Sequence, residues 1–153
     1  MNEIRKQVEV AAPVAEVWRA WTTSEGATTF FGPQANIELA VGGAYEILFD
    51  PELPKGQRGA EGLKVLSYLP EEMLSFEWSA PPEFPEERKR LTFVVVQFAA
   101  LGPSRTRVTL RHLGWPEGGK WPQVMAYFER AWGIVASRLE QRFARGPIDW
   151  ASA

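Results

Sequence analysis

The chain contains no cysteine and a single histidine, His112. Without cysteine it forms no disulfide, no zinc–thiolate or iron–sulfur centre and no cysteine nucleophile. With one imidazole, no site needing two histidines from one chain can form. An excess of one charge is also lacking. Lys+Arg 17 against Asp+Glu 19 leave a net charge of −2, without the basic surplus of a general nucleic-acid binder. Long apolar runs are missing too: the strongest, Leu91 to Leu101, is short of a membrane span and stops at Gly102-Pro103. The N-terminus, MNEIRKQVEVAAP, carries charges where a signal peptide needs apolar residues. Neither Asn2 nor Asn36 begins an N-x-Ser/Thr acceptor. A cytoplasmic protein is expected, and the absence of cysteine fits a reducing compartment.

The motif search is equally sparse. The two aspartates, Asp50 and Asp149, are too far apart for an EF-hand loop. There is no G-x-G-x-x-G, Walker loop, H-E-x-x-H or G-x-S-x-G. A Ser-His-Asp triad would have to recruit His112, and no serine is marked as its nucleophile. No cofactor, no metal and no catalytic residue is expected on these grounds.

What is abundant is aromatic: nine Phe, seven Trp and three Tyr in 153 residues. Those rings must be buried or must line something. The length predicts one domain, residues 1–153, large enough to fold on its own core.

Periodicity predicts a strand over 4–10, with Ile4, Lys6, Val8 and Val10 on one face. Pro13 opens a helix carrying Val14, Val17, Trp18 and Trp21. Thr23 or Ser24 caps a second short helix running to about Phe31. Strands follow over 35–40, 45–49, 60–68, 73–78, 89–99 and 105–113, the last two joined at Gly102-Pro103-Ser104. In the last, Thr106, Val108, Leu110 and His112 oppose Arg105, Arg107, Thr109 and Arg111. From Trp121 to Phe143 apolar residues recur at intervals of three and four, an amphipathic helix of roughly 35 Å. Gly146-Pro147 ends it. The order implies an α+β fold: a curved antiparallel sheet of about six or seven strands gripping one long C-terminal helix, with two short helices after strand 1.

His112 shares the apolar face of its strand, which reads either as a polar anchor or general base in a cavity, or as a strand-end histidine that is hydrogen-bonded or solvated. Glu46 and Glu77 alternate away from Tyr45 and Phe76, toward solvent; Glu61 also falls within a predicted strand. Arg105, Arg107 and Arg111 form a stripe that reads as a solvated face balanced by glutamates, or as a grip for an acidic partner. Glu86-Glu87-Arg88-Lys89-Arg90 reads as a charged hairpin loop.

Several local words resemble the START-like (SRPBCC) superfamily, and within it the branch similar to the activator of Hsp90 ATPase (AHSA1-like). They are Ala12-Pro13-Val14-Ala15-Glu16-Val17-Trp18-Arg19-Ala20-Trp21-Thr22, then Ser24-Glu25-Gly26 leading to Phe30-Phe31-Gly32, then Val41-Gly42-Gly43-Ala44-Tyr45, and Ala126-Tyr127-Phe128-Glu129-Arg130-Ala131-Trp132. The resemblance spans essentially the whole chain. It implies the helix-grip (START/Bet v 1-like) fold, with a cavity between the long helix and the concave sheet. The implied lining is Phe30, Phe31, Tyr45, Ile47, Phe49, Phe76, Trp78, Phe93, Val95, Gln97, His112, Met125, Phe128 and Trp132. It implies a hydrophobic or amphipathic small-molecule ligand, with a protein partner such as an Hsp90-like chaperone, or cyclase- or hydrolase-like catalysis, as alternatives. The eukaryotic co-chaperone carries a further N-terminal domain, for which these 153 residues have no room.

Overall fold

The computed structural model describes residues 2–153. Strand β1 (Ile4–Val10) leads into helices α1 (Val14–Thr22) and α2 (Ser24–Ala27). Strands β2 (Gln34–Ile37), β3 (Tyr45–Leu48), β4 (Gly59–Ala60), β5 (Val65–Leu69) and β6 (Met73–Trp78) follow. After a 3-10 turn at Glu87–Lys89 come β7 (Thr92–Gly102), β8 (Arg105–Leu113) and the long helix α3 (Trp121–Arg145).

The strands form two antiparallel sheets. One runs β1-β8-β7-β6-β5 and the other β2-β3-β4. Ile4, Val10, Val108, Leu110, His112, Val94, Val96, Phe98, Leu74, Phe76 and Trp78 bury their side chains on the concave face of the larger sheet. Helix α3 lies against that face with Val124, Phe128, Trp132, Val135 and Leu139 buried, as the three-and-four spacing predicts. Lys6 of β1 reaches Glu129 of α3 at 3.3 Å.

Local chemistry explains the elements near the site. Pro13 supplies the carbonyl that receives the first amides of α1, Glu16 and Val17. The Thr23 hydroxyl accepts from the Gly26 amide and caps α2. A Cβ on Gly26 would sit 2.5 Å from the Arg19 carbonyl, so only glycine lets α2 fold back this tightly on α1. α2 ends at Ala27 and continues to Phe31 as turns, shorter than expected.

Several strand boundaries differ from the sequence reading, three of them by more than a residue or two in ways that matter here. The expected strand 60–68 is two strands in two sheets, because the chain turns at Glu61–Lys64 with Gly62 at φ 71°. The expected strand 89–99 starts at Thr92, because Glu87–Lys89 coil into the 3-10 turn. β2 stops at Ile37 rather than residue 40. Among the described residues no helix is long and apolar enough to cross a membrane.

Candidate binding groove

Twelve of the fourteen predicted lining residues separate into three groups, with Met125 and His112 apart from them. Phe30, Phe31, Tyr45, Ile47 and Phe76 are fully buried and packed against one another or against Trp21. Phe31 stacks on Trp78 with ring centres 5.7 Å apart, and meets Trp21 and Trp132 edge-on. Tyr45 stacks on Phe76 at 4.0 Å, and its hydroxyl donates to the Trp21 carbonyl at 2.9 Å, at the C-terminal end of α1. Burial raises the Tyr45 pKa well above that of a free phenol. These rings are the core itself. Between α3 and the sheet, the space bordered by Trp21, Val108, Leu110 and Trp132 is about 10 Å³, room for one water at most. At this place between α3 and the sheet the chain's own side chains take up the space.

Phe93, Val95 and Gln97 are the second group, and the structure corrects them. They lie on the convex face of β7, opposite Leu113, Arg111 and Thr109 of β8. β7 is apolar on both faces through Phe93-Val94-Val95-Val96, so alternation alone does not say which face is inward. The pairing with β8, whose faces are plainly different, does. Met125 is also displaced: it is half-buried on the flank of α3, packed against the core edge.

His112 is fully buried and fully engaged. The indole Nε1–H of Trp132 donates to its Nδ1 at 2.9 Å. An indole nitrogen only donates, so Nδ1 is the accepting nitrogen and the ring proton sits on Nε2. That proton is donated to the Thr92 hydroxyl at 2.6 Å, and the hydroxyl in turn points to the Trp78 carbonyl at 3.4 Å. Burial pulls the His112 pKa from 6.5 down to about 3, so the ring is neutral. A general base needs a free lone pair within reach of substrate. His112 has none, and the chain His112–Thr92–Trp78 instead joins three strands while holding Trp132. His112 is hydrogen-bonded through both ring nitrogens and is not solvated.

The third group, Phe49, Trp78, Phe128 and Trp132, borders open space. Two clefts share the walls Phe49, Trp78, Tyr127 and Phe128. One, about 320 Å³, opens toward the loop after β3 and the Pro81-Pro82-Glu83 segment, with Asp50 and Leu53 on its rim. The other, about 230 Å³, follows α3 past Trp132 and Ile134 to Arg138. Together they form a groove between α3 and the ends of β3 and β6. Phe49, Leu53, Tyr127 and Ile134 are 37–46% exposed along it, a concentration of large apolar side chains at one place on the surface.

The loops around the groove are pinned by side chains that read as ordinary surface charges in the sequence. Both Nη atoms of Arg88 are saturated: Nη1 donates to the Ala80 carbonyl and the Ser79 hydroxyl, Nη2 to the Gly59 and Gly56 carbonyls. Glu87 accepts from the Lys120 amide at 3.1 Å, at the start of α3. Glu61 accepts from the Gly56 and Arg58 amides and from the Arg58 guanidinium at 2.7 Å. Burial acts to raise the Glu61 pKa, but these hydrogen bonds and the Arg58 charge outweigh it and hold the carboxyl below its ordinary value. Gly59 has φ 138°, and a Cβ there would lie 2.7 Å from the Ile47 carbonyl. Nothing local in the sequence marks Arg88 or Glu87, since their partners lie eight to 33 residues away. Tyr127 escaped because it lies off the apolar stripe of α3.

The remaining candidates are structural. Glu46 and Glu77 accept from the Gly62 and Lys64 amides. Arg105 pairs with Glu9 at 3.0 Å and Arg111 approaches Glu3 at 4.0 Å, whereas among the described residues Arg107 forms no ion pair. Among the described residues there is no group of three or more His, Asp or Glu able to hold a metal.

A long C-terminal helix over an antiparallel sheet, with paired short helices after β1, is a shape that can be compared directly. The family model described as activator of Hsp90 ATPase homolog 1-like protein matches residues 11–144. The chain belongs to this family. No curated protein matches it. Among solved structures, a Mesorhizobium loti protein superposes with a TM-score of 0.74 at 17% identity, covering 96% of this chain and 100% of that one. The Aha1 dimer from Colwellia psychrerythraea gives 0.70 at 19% identity, over 95% and 98%. CalU16 from Micromonospora echinospora gives 0.68 at 21% identity, over 96% and 76%. At these identities the likeness is one of fold. The AHSA1-like, helix-grip fold supports a ligand-binding or interaction module in general.

Proposed function

We propose that this AHSA1-like chain binds an apolar or amphipathic small molecule in the groove between α3 and the ends of β3 and β6, rather than in a sealed interior cavity. One observation carries the reading: Phe49, Trp78, Tyr127 and Phe128 are shared by open clefts of about 320 and 230 Å³, while the space beside Trp21, Val108, Leu110 and Trp132 is about 10 Å³. Aromatic walls with a few polar points on the rim are what a small-molecule site requires. Binding is driven by apolar burial at roughly 25 cal/mol per Å², before the costs of ordering the ligand. The Trp132 indole is held by its bond to His112, and the Trp78 ring packs on Phe31 and Trp132, so two walls are set before any ligand arrives.

The test is a thermal-shift screen against sterols, fatty acids, flavonoids and polyketide-like aromatics. A ligand at a hundred times its Kd adds about 2.7 kcal/mol, a rise of about 5–10 °C for a domain of this size. The reading expects a class-specific shift that Tyr127→Ala or Phe49→Ala abolishes in a folded variant. A flat panel overturns it and directs attention to a protein partner, tested by pull-down of an Hsp90-type chaperone.

A further inference from the structure

The two ends of the groove differ in charge. We propose that the loop end selects a cation: the favoured ligand carries a protonated or quaternary amine on an apolar body, with the ammonium group seated among Asp50, Glu83 and Tyr127. This rests on the groove reading above and names the ligand class for it.

Three separate elements bring these groups together. Asp50 follows β3, Glu83 belongs to the proline-rich segment after β6, and Tyr127 stands on α3; all three line the larger cleft. Among the described residues, neither the Asp50 nor the Glu83 carboxylate takes part in an ion pair. Both charges nevertheless act on the Tyr127 hydroxyl: burial and then Glu83 and Asp50 raise its pKa. Electrostatically, then, all three face the same space.

The cations of this cleft are committed elsewhere. Arg58 is bound by Glu61. Arg88 has both Nη atoms saturated by carbonyls and a hydroxyl, leaving a ligand anion no fork to grip. The charged residues lining this cleft are Asp50, Glu83, Arg58 and Arg88; with Arg58 neutralised by Glu61 outside the lining, two unpaired carboxylates stand against the one guanidinium of Arg88. Beside the carboxylates lie the rings of Phe49, Trp78, Tyr127 and Phe128, of which Phe49 and Tyr127 are the exposed ones. Aromatic faces attract an ammonium ion through the ring quadrupole, and do so more strongly for a partly desolvated cation. Arg138, at the far end, lies over the Trp150 ring at 5.0 Å and lines the other cleft. An anionic head would go there instead, which gives the experiment a built-in opposite.

The experiment titrates the intact chain at pH 7 with three probes sharing one body: 4-phenylbutylamine, 4-phenylbutanol and 4-phenylbutyrate. Affinities are read by calorimetry. The amine is expected to bind about tenfold tighter than the alcohol, with the carboxylate weakest. Its advantage shrinks as salt is raised. In Asp50→Asn/Glu83→Gln the amine falls to the affinity that the alcohol shows for the same variant. Both positions are exposed, so the variant keeps its fold, checked by circular dichroism. Equal affinities of amine and alcohol in the parent chain, or an advantage that survives the double variant, overturn the cation selection and leave the groove standing. Tightest binding by the carboxylate overturns it too and places the charged head at Arg138. Failure of all three to bind, alongside a flat screen, removes the groove reading and this inference together.

Discussion

Trp132 donates its indole proton to Nδ1 of His112 across 2.9 Å, and this bond decides what the histidine is. It fixes the tautomer, fills the lone pair and removes the chain's only imidazole from acid–base chemistry. It also anchors the Trp132 ring, which forms part of the groove wall.

The pH dependence of stability follows from that bond and from burial. The unfolded chain binds a proton on His112 below about pH 6.5, whereas the folded chain refuses it until about pH 3. Stability is therefore complete above pH 6.5 and lost as pH falls from 6.5 toward 3. At about 1.4 kcal/mol per unit, this one group accounts for about 4–5 kcal/mol of acid destabilisation. Denaturant unfolding across pH 3.5–7.5 measures it. His112→Gln, which can still accept from Trp132 and donate to Thr92, is expected to show a flatter curve. An unchanged slope would remove His112 as its source.

Thr92 is the next link. Thr92→Val keeps the shape but leaves the Nε2 proton of His112 buried without a partner, at a cost of about 1–3 kcal/mol. The same network contains Trp132→Phe, which strips the donor to Nδ1. Because both changes act on one histidine, the double variant is expected to lose less than the two single losses combined. Chemical denaturation of the four proteins gives the coupling; strict additivity would mean that the two bonds are independent.

Arg88 is expected to matter locally. Replacing it with Lys supplies one nitrogen where two Nη atoms now reach four acceptors on separate loops. Amide exchange should accelerate in the 50–59 loop and around Ser79–Ala80, while β1 and β8 keep their protection. Uniform acceleration across the sheet would show Arg88 to be a global stabiliser rather than a pin for the groove.

The parts of this molecule legible in the sequence are those governed by a single repeating period. The α3 stripe from Trp121 and the two faces of β8 announce themselves, and with the short helices they give the helix-grip order. β7 is different. Its Phe93-Val94-Val95-Val96 run is apolar on both faces, and only the register with the Arg105–Arg111 stripe shows that Val95 faces outward beside Arg111. The turn at Gly102-Pro103-Ser104 does not settle this alone: counted from the closing pair Gly102–Arg105 the register would set Val95 against His112, and the shift between Ala100 and Gly102 moves Val95 to Arg111 instead. The split of 60–68 hangs on one φ at Gly62, which no pattern of apolar residues records. Whether Phe30, Phe31, Tyr45 and Phe76 enclose a cavity or fill it depends on how side-chain volumes interlock in three dimensions. Composition gives only the aromatic total. Tyr127, Asp50 and Glu83 come together from elements distant in sequence, and Arg88 acts through backbone carbonyls, so neither leaves a motif.

Tyr45 separates core from groove in a further way. Tyr45→Phe leaves the Trp21 carbonyl without its hydroxyl partner and is expected to cost about 1–2 kcal/mol. Binding of 4-phenylbutylamine should be unaffected, because Tyr45 lines neither groove cleft. Tyr127→Ala should do the reverse: near-parental unfolding and lost binding. Calorimetry and melting curves on both variants distinguish the two roles, and a Tyr45→Phe that weakens binding would argue for an interior site.

The most direct measurement is where a ligand sits. Titration of isotope-labelled protein with 4-phenylbutylamine, followed by amide and indole nuclear magnetic resonance shifts, reads this out. The account predicts the largest changes at Phe49, Asp50, Tyr127 and Phe128 and at the Trp78 indole, with the neighbours of Tyr45 and Phe76 unmoved. Changes centred on Tyr45, Phe76 and Leu110, with the groove silent, would contradict it and place binding between α3 and the sheet.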